Sequence, residues 1–90
     1  MMTMKRWNVQ IVIDEHEGTS TRAEARLATG DNQFTGVGVA RLSPNDRDVP
    51  KIGDELAAAR ALSELAHQLL QAAAEDIAGV TGSREVHLTP

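Results

Sequence analysis

The stretch "FTGVGVARL" at residues 34–42 holds two glycines, Gly36 and Gly38, then Ala40 and Arg41. Glycines at that spacing can cradle a phosphate if a helix opens directly behind them. Here Arg41 stands where a third glycine would close a dinucleotide fingerprint, and no G-K-[ST] follows for a P-loop. The plainer chemistry is steric. Phe34, Gly36, Gly38, Ala40 and Leu42 share one face of a strand whose middle lacks side-chain bulk, which marks close approach by another backbone. The other reactive residue types are dispersed. His16, His67 and His87 show no ligand spacing, and the carboxylates of "DEHEG" (14–18) and "PNDRD" (44–48) match no calcium loop. No nucleophile elbow or nucleophile–base set is present. The sequence therefore names no catalytic residue, no cofactor, no metal and no small-molecule substrate.

Charge offers a second kind of chemistry. The net charge of −4 is placed unevenly: residues 1–53 balance, and residues 54–90 carry the whole excess of acid. A whole-surface grip on nucleic acid is excluded, leaving only a local patch. Arg22, Arg26 and Arg41 form such a patch by strand alternation, and Lys5 and Arg6 are candidates to add to it. The same face carries Val12, Val37 and Val39, which are candidates for a subunit interface. No aromatic side chain is available there to stack on a base.

The elements that position these residues follow from periodicity. "RWNVQIVID" (6–14) alternates with Trp7, Val9, Ile11 and Ile13 on one face. "STRAEARLA" (20–28) alternates again, and residues 33–42 give a third strand. The short turns at "EHEGTS" and "TGDNQ" make the three an antiparallel meander. After a Pro-, Asp- and Gly-rich loop, Asp54 stands as an N-cap before one long amphipathic helix ending near Gly79. Its apolar arc is Ala58, Leu62, Leu65, Ala66, Leu69, Leu70, Ala73 and Ile77, and the alanines Ala58, Ala59, Ala66 and Ala73 are the expected partners of the glycine face. Val86 and Leu88 could form a last short strand. The expectation is an α+β fold: a three-stranded antiparallel meander on one long C-terminal helix (β-β-β-α). The 90 residues make a single domain with an ordered core at 6–78 and tails at 1–5 and 80–90.

Thirteen alanines, one Trp, one Phe and no Tyr make a thin core, for which self-association is a common remedy. There is no cysteine, and no run of transmembrane length or secretory h-region. A cytoplasmic protein with no membrane partner is expected.

The motifs W-x-V-x-I-x-I (7–13), T-x-A-x-A-R-L (21–27), G-x-G-x-A-R-L (36–42), V-P-x-I-G (49–53) and E-L-A-A-A-R-A-L-x-x-L-A-x-x-L-L (55–70) stand together over residues 6 to about 78. The chain resembles a family of small actinobacterial proteins of unknown function, some of them associated with dormancy and hypoxic stress. The resemblance implies a fold similar to the double-stranded-RNA-binding domain without its first helix, and similar to part of the ribosome hibernation-promoting factors. It further implies a homodimer and gives no catalytic residues. The lysine cluster through which double-stranded-RNA-binding domains hold phosphate has no counterpart: "PKIGDELAAAR" sets Lys51 and Arg60 around two acids. Two functions are expected from this: a non-enzymatic homodimeric stress protein bound to the ribosome or RNA, or a protein-interaction module without nucleic-acid contact.

Overall fold

The structure is a computed structural model and describes residues 2–16, 20–41, 49–82 and 88. It has three strands and one helix: β1 (Val9–His16), β2 (Ser20–Ala28), β3 (Gln33–Arg41) and α1 (Pro50–Thr81). The strands form an antiparallel sheet in the order β1-β2-β3, and α1 packs on one face of it. This is the expected two-layer α+β arrangement.

Register explains why the helix lands where it does. Ala23 pairs with Gly38 and Ala25 with Gly36, so four residues with almost no side chain adjoin on the inner face. They form a trough, and Ala57 and Ala61 of α1 lie in it fully buried. The approach is backbone to backbone. A Cβ added at Gly38 would collide with the Ala57 carbonyl oxygen and the Ala61 nitrogen, and one at Gly36 with the Ala61 carbonyl oxygen and the Leu65 nitrogen. The glycine face thus receives the helix, as its sequence indicated, but through Ala57 and Ala61 and not through the expected Ala58, Ala59, Ala66 and Ala73. Leu27, Ala40 and Leu65 complete the buried core, with Phe34 and Leu69 packed against it. Leu27 is the largest side chain buried outright, so the core is as thin as the composition implied.

Three expectations need correction. Asp54 is not the N-cap. The helix opens at Pro50 with Val49 as its cap residue, and Val49 makes no side-chain cap bond. Proline's fixed φ and missing N–H suit the first helical position, so Pro50 starts the helix it seemed to precede. Asp54 lies inside α1, where its Oδ1 is buried without a hydrogen-bond partner among the described residues. At the other end the helix runs past Gly79 to Gly82, whose φ of 76° gives the left-handed cap and whose N–H donates to the Ala78 carbonyl.

Trp7 is also misplaced by alternation. It precedes β1 and is 57% exposed. The helix covers β2 and β3 and leaves β1 largely bare, so Val9, Ile11 and Ile13 remain 43%, 38% and 40% exposed.

The third correction concerns the phase of the helix. Ala57, Ala61 and Leu65 are its buried residues, and of the eight residues of the expected apolar arc only Leu65 is among them. Arg60 and Gln68 fix the rotation. The Arg60 Nη1 donates to the Val39 carbonyl at 2.7 Å, and the Gln68 side-chain amide pairs with the backbone of Thr35. These polar anchors hold one flank of α1 against the outer edge of β3, which turns the opposite, apolar flank toward β1. The expected strand around Val86 lies outside the described residues, as does Leu42.

Candidate functional site

The sheet face opposite α1 carries the candidate site. Its side chains stand in rows set by the strand register. Asp14 lies beside Arg22 and Arg22 beside Val39; Val12 lies beside Glu24 and Glu24 beside Val37; Gln10 lies beside Arg26 and Arg26 beside Thr35. Arg41 pairs with Ser20 at the end of the sheet. The structure therefore brings Arg22, Arg26, Arg41, Val12, Val37 and Val39 to one face, as alternation required. Lys5 and Arg6 are exposed in the segment ahead of β1 and belong to no strand.

Glu24 organises the centre. Arg22 Nη2 reaches its Oε1 at 3.4 Å, while Arg26 Nε donates to its Oε2 at 3.1 Å and Arg26 Nη2 meets the same oxygen. One carboxylate thus bridges two guanidiniums. The hydrogen bonds from Arg26, with its charge and the weaker contribution of Arg22, hold the Glu24 carboxyl below its ordinary range and outweigh the opposing effect of burial. The arginine side chains keep 40% and 47% of their surface in solvent and Glu24 keeps 20%. Strand positions i and i+2 share a face, which is why Arg-x-Glu-x-Arg at 22–26 forms this bridge without help from another strand.

Sequence reasoning grouped the three arginines; which acid stands beside which of them is set by the pairing of β1 with β2. Asp14 sits opposite Arg22. The face therefore holds three arginines against two acids. Only the pairing register reveals that neighbour, and register depends on the turn between the strands. Among the described residues there is no cluster of His, Cys, Asp or Glu that could hold a metal ion, and no helix there is long and apolar enough to cross a membrane. Chemically, the face offers paired ions framed by half-exposed valines. That arrangement can bind a surface.

Comparison with known proteins places the chain among relatives. Residues 5–87 match the family model described as Rv2632c-like. The uncharacterized protein Mb1767 of Mycobacterium bovis is 54% identical over 78 residues, which cover 87% of this chain and 82% of that protein. The uncharacterized protein Rv2632c of Mycobacterium tuberculosis is 49% identical over 77 residues, covering 86% of this chain and 82% of its own length. A solved structure titled "Crystal Structure of Rv2632c" superposes with a TM-score of 0.82 at 48% identity, covering 89% of this chain and 94% of that chain.

Proposed function

The chain belongs to the Rv2632c-like family, and from that footing we propose that it is a non-enzymatic binding module whose outer sheet face takes a protein partner. The observation that carries this reading is the compensation of charge. Glu24 bridges Arg22 and Arg26, and Asp14 adjoins Arg22. What remains is an almost neutral surface with Val12, Val37 and Val39 set into it. Apolar area broken by satisfied ions is the character of a non-obligate protein interface, where arginine is enriched and bulk hydrophobicity is ordinary.

A second reading, contact with the ribosome or another RNA in a stress or dormancy role, is favoured by Arg41. It is exposed and has no ion-pair partner among the described residues. Exposed pairs like those of Arg22 and Arg26 contribute little to stability, so a phosphate could displace Glu24 from them. The likeness to ribosome hibernation-promoting factors that the family resemblance implies points the same way.

A photo-crosslinking residue placed at Val37 in cells of a mycobacterial host separates the two. The expected product is a protein adduct that survives nuclease. An adduct with ribosomal RNA transfers the assignment to the second reading, and the absence of any adduct at Val37 sinks both. For the RNA reading, replacing Arg22, Arg26 and Arg41 by glutamine should flatten the dependence of log affinity on log salt by about two units.

A further inference from the structure

β1 is an edge strand: it pairs with β2 on one side and, among the described residues, with no strand on the other. Its eight residues, Val9–His16, pair with β2 without a bulge and include no proline, glycine or lysine. The usual devices that blunt an exposed edge are thus missing from it. On the helix side, Val9, Ile11 and Ile13 stay two-fifths exposed because α1 lies over β2 and β3. Leu62, on the flank of α1 turned toward β1, is likewise 41% exposed. A half-covered apolar floor therefore runs beside a row of backbone groups that no strand pairs. Strand addition uses both features: main-chain hydrogen bonds supply affinity, and alternate side chains supply specificity.

We propose that β1 takes an extended segment of another protein as a fourth, antiparallel strand. The guest alternates apolar with polar residues and carries a lysine or arginine beside Asp14. Its apolar residues lie on the side of Val9, Ile11 and Ile13 and widen the floor beneath α1, in the cross-strand pairs that stabilise a sheet. Its polar residues lie beside Gln10, Val12 and Asp14 on the other side. Charge selects the guest. β1 holds two carboxylates, Asp14 and Glu15, and no lysine or arginine to offset them. Asp14 stands beside Arg22 of β2, yet it forms no ion pair among the described residues. A guest cation on its open side sets this carboxylate between two positive charges, as Glu24 is set between Arg22 and Arg26. A second copy of β1 does not supply that cation. Laid antiparallel along the whole strand with apolar faces together, it centres on Val12 and sets Gln10 beside Asp14. The guest is therefore foreign. This site is the edge of the sheet and does not rest on the reading given to the outer face.

The test uses the whole chain and a synthetic peptide of about nine residues. The peptide alternates valine with threonine and has one lysine at the threonine position that falls beside Asp14. Fluorescence anisotropy follows binding, and hydrogen exchange of the β1 amides locates it. The dissociation constant should lie below about 1 mM, with exchange slowed in β1. Methylating the peptide's backbone nitrogens at one parity should abolish binding. Methylating the other parity should leave it within about threefold, because alternate amides of a strand face opposite edges. Asp14→Lys, with its circular dichroism unchanged, should weaken the lysine peptide about fivefold. A peptide with glutamate in the lysine's place should restore binding to within about twofold of the parent pair. No binding overturns the proposal, and so does equal sensitivity to methylation at both parities. A glutamate peptide that fails to restore binding to the folded Asp14→Lys chain overturns it too. If the β1 amides instead become protected as the chain alone is concentrated, a second copy occupies the edge and the proposal falls.

Discussion

At the scale of single residues, two positions make predictions of different kind. Gly38 stands where the backbone of α1 comes closest, against the Ala57 carbonyl and the Ala61 nitrogen. Backbone cannot swing aside as a flexible side chain can, so even one added carbon must push the helix off the sheet. Gly38→Leu should destabilise by about 1–3 kcal/mol or more, and Gly38→Ala should already be felt. Chemical denaturation checks both, and a variant that unfolds with the parent's midpoint would refute the close approach. Gly30 is the natural control, since a Cβ there meets nothing within 4 Å. Glu24 predicts a pH dependence. Its carboxyl is held low in the folded chain, principally by Arg26. The pairing therefore stabilises fully above the unfolded value near 4.5 and is lost as pH falls through the lower folded value. Glu24→Gln should lower stability modestly at neutral pH and flatten the acid limb below about pH 4.5, so that variant and parent converge at low pH. Thermal melts across pH 3–7 read this directly.

At the scale of elements, the strands were legible and the helix was legible only in part. Period-two alternation fixes which strand residues share a face whatever lies above them, so Ala23, Ala25, Gly36 and Gly38 could be assigned inward from their positions alone. The helix has no such certainty. Its middle is apolar over so wide an arc that the helix can be rotated by about a quarter turn without burying a charge there. The sequence pattern centred the buried face near Leu62 and Leu69. The structure centres it on Ala61, because only alanine fits the Ala/Gly trough and because Arg60 and Gln68 reach the β3 edge from that setting. Steric fit outranked bulk hydrophobicity. Leu65→Ala should therefore cost about 2–4 kcal/mol, since it empties a buried contact. Leu56→Ala, at a position 45% exposed, should stay within about 0.5 kcal/mol. Equal losses at both would mean the helix is docked in another phase. The ends of α1 were misjudged for a local reason: proline can halt one element and begin the next, and its neighbours do not say which.

At the scale of the whole molecule, the candidate site was legible as a set of residues and illegible as a charge. Alternation grouped Arg22, Arg26 and Arg41, and Glu24 between them was visible. The position of Asp14 beside Arg22 came only with the β1–β2 register. That one neighbour turns a basic patch toward neutrality and moves the functional reading from nucleic acid toward protein. The apolar flank of α1 and the bare floor of β1 were likewise hidden, since both depend on how far the helix extends across the sheet.

The two edges of that sheet are not alike. At β3 the Gln68 Nε2 donates to the Thr35 carbonyl at 2.6 Å and its Oε1 accepts from the Thr35 N–H at 3.4 Å, so a side-chain amide occupies the place of a fourth strand. Arg60 takes the Val39 carbonyl beside it. Unpaired strand edges are the sites at which sheets recruit further chains. A strand arriving at the β3 edge meets the Thr35 peptide groups and the Val39 carbonyl already bonded, so β3 is poorly placed to extend the sheet. Gln68→Ala should open that edge at Thr35, and sedimentation velocity should then show a concentration-dependent tail of species heavier than those of the parent. A variant with the parent's size distribution would show that the amide has no such role. On this view Gln68 guards the β3 edge against further strand pairing, a service unrelated to whatever the outer face binds.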